Sequence, residues 1–160
     1  MSALLTELLI RRALRRHPAT KSGVLTGEKK VKGRKRHICT DILGNLLEIQ
    51  VHAANIHDTM KGKEVCERIA DKYPSIKGFS ADAGYRGTTF NFVEEVLGLS
   101  MEISKKIKDE FAILKKRWIV ERTFSWFEGF RRLSKDFEIL TASEENFIRI
   151  AMVKSTLAKC

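Results

Sequence analysis

The sequence predicts one α/β domain built on a mixed sheet flanked by helices, and three observations carry that prediction. Period-two alternation over residues 38–53 marks a β-hairpin, short runs near 77–81 and 100–104 mark further strands, and five stretches carry apolar residues at helical spacing. Strands interleaved with helices belong to layered α/β architectures. A chain of 160 residues with 43% hydrophobic residues can bury a core of single-domain size.

The elements follow in order. Leu4, Leu5, Leu8, Leu9 and Leu14 recur at helical spacing, so a helix is expected through about residue 15, and Pro18 forbids its continuation. Residues 17–28 read as a connector. In KKVKGRKRH at 29–37, Lys29, Lys30, Lys32, Arg34, Lys35 and Arg36 surround Gly33. Ile38, Thr40 and Ile42 alternate with Cys39 and Asp41; beyond Gly44-Asn45, Leu47, Ile49, Val51 and Ala53 alternate with Glu48, Gln50 and His52. Glycine at the first turn position predicts a two-residue type II′ turn.

From Asp58 the pattern turns helical, with Met60, Val65 and Ile69 on one side and an end before Pro74. A strand near 77–81 runs into Asp82-Ala83-Gly84-Tyr85-Arg86-Gly87, a loop marked by two glycines, and Phe90, Phe92, Val93, Val96 and Leu97 suggest another helix. Residues 100–104 read as a strand. The longest helical pattern runs from about Leu114 to Leu133 with Trp118, Val120, Phe124, Phe127 and Phe130. Thr141-x-x-Glu144 has the spacing of a capping box ahead of Phe147, Ile148, Ala151 and Leu157.

A formal charge of +10 favours a polyanionic partner, most simply nucleic acid, through counterion release. Cys39, Cys66 and Cys160 are odd in number and widely spaced, which suggests neither a disulfide framework nor a zinc site and points to a reducing compartment. Glu7, Arg11, Arg12, Arg15 and Arg16 interrupt the N-terminal leucines, so neither a membrane span nor a signal peptide is expected.

Asp82 is the first candidate for chemistry, because the C-terminal end of a strand before a glycine-rich loop is where open α/β sheets collect functional groups. Ordinary turn chemistry explains an aspartate there equally well. Arg117, Glu121, Arg122, Ser125, Glu128 and Arg131 form a stripe on the long helix, readable either as a site or as a solvated face of ion pairs. The six cations of 29–37 suit phosphate contacts with DNA or RNA. His37, His52 and His57 lack metal-ligand spacing and read as surface or satisfied residues, while Trp118 and Trp126 read as core anchors ahead of base-stacking groups.

Taken together, KKVKGRKRH at 29–37, Asp41 and Gly44, HAANIHD at 52–58, ADAGYRG at 81–87 and RWIVERTFSWFEGFRRLSKDFE at 117–138 resemble bacterial insertion-sequence transposases of the Asp-Asp-Glu class. The resemblance spans roughly 29–155. It implies a ribonuclease-H-like domain in which three carboxylates hold two Mg²⁺ or Mn²⁺ ions, cut a DNA phosphodiester and join the freed 3′ hydroxyl to target DNA. Asp82 matches the family's second aspartate and Glu121 its glutamate, both as catalytic and metal-holding residues. Lys29, Lys30, Lys32, Arg34, Lys35, Arg36, Arg117, Arg122, Arg131 and Arg132 are the expected DNA contacts. The expected setting is the bacterial cytoplasm at the nucleoid, with DNA and a further transposase subunit as partners.

The sequence departs from that pattern where the family's first aspartate should precede the basic segment, since no aspartate occurs upstream of residue 37. Ser22-Gly23-Val24-Leu25 reads as the start of the strand that bears it, joined almost at once through Thr26-Gly27-Glu28 to Lys29. The expectation is therefore a sheet lacking part or all of its first strand. It comprises a residual helix and connector at 1–28, which leaves little of the family's N-terminal DNA-recognition domain, and an incomplete catalytic domain at 29–160. Glu28 and Asp41 are the nearest substitutes, Asp41 on the wrong strand. Such a protein binds DNA but transfers strands weakly or not at all alone; the alternatives are a non-catalytic nucleic-acid-binding module derived from a transposase and a decayed fragment without a stable fold.

Overall fold

The computed structural model describes residues 33–104 and 115–158, together with the backbone of 5–15, as a five-stranded mixed sheet with helices on both faces. The strand order is β3-β2-β1-β4-β5, with β1 at Leu5–Arg15, β2 at Gly33–Thr40, β3 at Leu46–Ala53, β4 at Gly78–Ala81 and β5 at Ser100–Ile103. β1 is antiparallel to β2 and parallel to β4; β2 and β3 are antiparallel, and β4 and β5 are parallel.

The helix expected through residue 15 is therefore corrected. Residues 5–15 are a strand at the centre of the sheet, occupying the place the sequence had suggested was lost. Leucine, alanine and arginine favour helix locally by only tenths of a kcal/mol per residue. That preference yields where ladders on both sides satisfy backbone N–H and C=O groups and where β2 and β4 would otherwise face each other as unpaired edges. The connector at 17–28 and Lys29, Lys30 and Lys32 lie outside the described residues.

Side-chain alternation divides the core in two. Cys39, Phe79 and Ala81 face helix α1 (Asp58–Lys72) and pack with Val65, Cys66, Ile69, Tyr85 and Val93. Ile38, Ile49 and Val51 face α3 (Lys115–Glu128) and α4 (Thr141–Leu157) and pack with Val120, Phe124, Phe127, Ile148 and Met152. Between β4 and β5 the chain makes a 3-10 turn at Ala83–Tyr85, a short α2 at Thr88–Asn91 and a π-helical turn at Phe92–Val96. Among the described residues no helix is long and apolar enough to cross a membrane.

Two local expectations change. The hairpin closes through residues 42–44 rather than a two-residue turn: the Gly44 N–H donates to the Asp41 carbonyl at 3.0 Å, the Asp41 N–H to the Asn45 carbonyl at 3.0 Å, and Gly44 takes φ +86°. Asp41 organises this turn by accepting from the Leu43 and Asn45 N–H groups at 2.9 and 2.8 Å, the role for which aspartate suits a turn. The capping box is absent as well. Leu140 is the N-cap of α4 without a side-chain cap, and Glu144 turns inward to Arg36.

Candidate functional site

Asp82 sits where β4 ends, with extended backbone (φ −71°, ψ 159°), so it continues the strand's alternation. Phe79 and Ala81 face α1, which places Ser80 and then Asp82 on the opposite face, where α3 and α4 pack. The Ala83 N–H donates to Asp82 Oδ1 at 2.6 Å and starts the 3-10 turn, while Oδ2 takes no hydrogen bond among the described residues. Asp82 is half-buried.

Glu121 lies on α3 next to Val120, which is fully buried against the sheet, and is itself exposed. The helix rests on β1 and β2. Asp82 thus follows the face of the sheet that carries α3, the helix of Glu121. Among the described residues no three His, Cys, Asp or Glu side chains form a group able to hold a metal ion. The face does offer hard oxygen: among the described residues Ser80 Oγ, two positions before Asp82 on β4, and Thr40 Oγ1, two strands away on β2, are buried without hydrogen-bond partners. Carboxylates and orphaned hydroxyls suit Mg²⁺ or Mn²⁺ in kind.

The cations fall into two groups. Arg122 is held on α3 between two indoles, its guanidinium carbon 4.5 Å from the Trp118 ring and 5.0 Å from the Trp126 ring, and it donates to the Leu43 carbonyl at 2.8 Å. Arg131 and Arg132 are exposed in the turn after α3, where Arg132 Nη1 stands 3.4 Å from Glu138. Arg117 belongs to α3, with its side chain outside the described residues. Trp118 is a correction to its reading as a core anchor: it is 48% exposed and backs Arg122.

Arg34 and Arg36 correct the sequence reading more sharply. Both were expected on DNA, yet both point into the face shared by α3 and α4 and are almost fully buried. Arg34 donates to Asp136 at 3.3 Å, to Glu144 at 3.5 Å and to the carbonyls of Glu138 and Ile139; Arg36 donates through Nε to Glu144 and through Nη1 to the Leu133 carbonyl at 2.8 Å. β2 lies inside the sheet, so alternate residues of the basic tract are carried inward whatever their charge. Burial pushes the Glu144 carboxyl above its usual range, and Arg36 pulls in the other direction. Lys35, on the opposite phase, is half-buried and held by Asp58 at 2.6 Å and the Ile56 carbonyl at 3.0 Å.

The histidines form a chain on the α1 side. His52 Nδ1 lies 2.8 Å from the Ala53 carbonyl, His52 Nε2 lies 2.7 Å from His37 Nε2, and the Tyr85 hydroxyl lies 3.3 Å from His37 Nδ1. Satisfying each contact assigns a proton to His52 Nδ1 and another to His37 Nε2, with Tyr85 donating to His37 Nδ1. Both imidazoles are then neutral. Burial is the main cause that lowers the pKa of His37 to about 3, followed by the neighbouring His52, and burial lowers that of His52.

The sequence reading had placed Glu7 on a helix. It is the acidic residue of β1, register-paired with Thr40 on one side and Ser80 on the other. Its signal was the short apolar run Leu8-Leu9-Ile10, which is equally at home in a buried strand and in a helix.

Residues 14–153 match the family model described as the transposase DDE domain. The chain is 30% identical over 136 residues to the Burkholderia cepacia transposase for insertion sequence element IS402, a match covering 78% of this chain and 63% of that protein. The chain thus spans less than two thirds of that relative's length. The crystal structure of the catalytic core domain of BIV integrase superposes with a TM-score of 0.53 at 12% identity, over 95% of this chain and 82% of that one. That likeness is one of fold, a ribonuclease-H-like mixed sheet with helices on both faces.

Proposed function

Because the chain belongs to the transposase DDE-domain family, we propose that it acts on DNA through a divalent-cation site to which Asp82 and Glu121 contribute, and that its strand transfer is impaired when it acts alone. The observation that carries this reading is the shared face of the sheet: Asp82 at the end of β4 and the helix α3 that bears Glu121, with the Ser80 hydroxyl on β4 buried and unpartnered among the described residues. Two Mg²⁺ or Mn²⁺ ions, when bound, stabilise the attacking and leaving oxygens of an in-line phosphodiester displacement. Asp82 keeps Oδ1 on the Ala83 N–H, which fixes its rotamer and presents Oδ2. Arg117, Arg122, Arg131 and Arg132, along α3 and the turn after it, neutralise DNA phosphates, joined by Lys29, Lys30 and Lys32. The catalytic domain takes in β1 at Leu5–Arg15, the central strand of its sheet, along with the chain from residue 29 onward, and a further transposase subunit supplies what it lacks; the bacterial cytoplasm at the nucleoid is where its substrate lies.

Impairment follows from the missing aspartate of the family pattern, since a reacting group displaced by about 1 Å can lose about a hundredfold in rate. The test is nicking and strand transfer on supercoiled plasmid in Mg²⁺ or Mn²⁺. Binding with little or no cutting is expected. Robust metal-dependent cutting, abolished by Asp82→Ala or Glu121→Ala, would overturn the impairment, and absence of DNA binding even at low salt would overturn the reading as a whole.

A further inference from the structure

We propose that the turn between β2 and β3 sets how α3 presents Glu121, with Gly44 and Thr123 as positioning residues for that carboxylate. This rests on the reading of Glu121 as a metal-site residue. The two residues that follow Glu121 on α3 are held by consecutive carbonyls of the turn. Arg122 Nη2 donates to the Leu43 carbonyl at 2.8 Å. The Thr123 hydroxyl lies 3.2 Å from the Gly44 carbonyl and 3.1 Å from the Ile119 carbonyl, and shares its proton between them. Thr123 is fully buried, so this contact is shielded from water. Successive helical residues point about 100° apart, and two adjacent anchors therefore fix rotation about the helix axis. Val120 and Phe124 seat the same helix on the sheet, but apolar packing is non-directional and defines that rotation less sharply.

The turn is shaped for this approach. Gly44 is buried at φ +86°, and a Cβ there would stand 3.0 Å from Arg122 Nη2, 3.1 Å from Thr123 Oγ1 and 3.6 Å from Trp126 Cη2. Asp41 ties the turn from within by accepting from the Leu43 and Asn45 N–H groups at 2.9 and 2.8 Å and from the Asn45 side-chain amide at 2.9 Å. The Trp118 and Trp126 rings pack on the Arg122 guanidinium and keep it at the Leu43 carbonyl. A chain of contacts thus runs from Asp41 through the turn to the residues beside Glu121. Its leverage is large. A carboxylate about 5–6 Å from the helix axis moves by about 2 Å when the helix turns by about 20°. A displacement of about 1 Å already costs about a hundredfold in rate.

The experiment is Mn²⁺ affinity of the full chain by calorimetry, with the metal-free melting temperature measured alongside. Glu121→Gln sets the reference loss. Gly44→Ala pushes the turn off α3, and Thr123→Val keeps the side-chain shape while removing the hydroxyl. Each should lose about tenfold in affinity, the usual scale for a group that orients a metal ligand. Thr123→Ser should bind as wild type. Thr123→Val added to Glu121→Gln should cause no further loss, because a residue that acts through Glu121 then has nothing to position. Wild-type affinity in Thr123→Val, whatever its melting temperature, or a further loss in the double variant, would overturn the positioning role and leave Glu121 standing. Wild-type affinity in Glu121→Gln, or no Mn²⁺ binding by the wild-type chain, would overturn both the positioning role and the reading of Glu121.

Discussion

Arg36 and Glu144 form a buried ion pair that ties the second strand of the sheet to the last helix: the guanidinium Nε donates to Glu144 Oε1, and the two side chains are 4% and 2% exposed. Arg34 meets the same carboxylate at 3.5 Å from one turn of pleat away. Part of a tract that reads as DNA-binding thus joins secondary elements more than one hundred residues apart in sequence.

Removing Glu144 takes the carboxylate from the buried Arg36, which keeps the Leu133 carbonyl, and one of the two carboxylates from Arg34. Glu144→Ala should lower unfolding free energy by about 3–5 kcal/mol, the usual effect of breaking a buried pair from one side. Denaturant unfolding followed by circular dichroism measures it. A loss below about 1 kcal/mol would contradict the network.

Acid should unfold the protein through the histidine chain. The His37 pKa falls from 6.5 in the open chain to about 3 in the fold, so between those values the unfolded state binds a proton that the folded state does not. Stability from this group is complete above about pH 6.5 and declines as pH falls towards 3, at about 1.4 kcal/mol per pH unit for one proton. His52, also lowered by burial, adds in the same direction. Denaturation midpoints at a series of pH values should flatten over this window in His37→Gln, and an unchanged profile would refute the assignment.

Salt should separate the two groups of cations. Replacing Lys29, Lys30 and Lys32 together by alanine should reduce the slope of log affinity for duplex DNA against log salt by about 2–3, at about 0.9 per lost phosphate contact. Arg36→Met should leave that slope unchanged and shift the melting temperature instead. Fluorescence anisotropy between about 50 and 200 mM salt decides between these outcomes.

Gly62 should resist a substitution that helix propensity favours. A Cβ there would stand 2.5 Å from Tyr85 Cε1 and 2.7 Å from Cδ1, and Tyr85 is 1% exposed and lies in the core beneath α1. Gly62→Ala gains about 1 kcal/mol of helix propensity but overpacks this contact by about 1–3 kcal/mol. Net destabilisation in thermal unfolding is expected, accompanied by a shift in the tyrosine near-ultraviolet signal.

The sequence by itself determined the elements whose signals are local. Alternation set the hairpin strands, helical periodicity set α1, α3 and α4 to within a few residues, and Asp82 was legible at the end of β4 because strand and glycine-rich loop adjoin in sequence. Glu121 was legible only through the ordered motif around it, since an exposed carboxylate on a charged helix has no local distinction. Only the tertiary structure decided the fate of residues 5–15, of Arg34 and Arg36, and of Glu144. Leu5–Arg15 carries helix-favouring residues, and what makes it a strand is hydrogen bonding to β2 and β4, whose residues lie far along the chain. The arginines read as surface cations until Asp136 and Glu144 are brought beside them, and Glu144 reads as a cap until those arginines draw it inward. Periodicity reports the environment of a segment through its own residues. Partners supplied by distant segments, which decide whether a charge is buried or solvated, have no trace in that pattern.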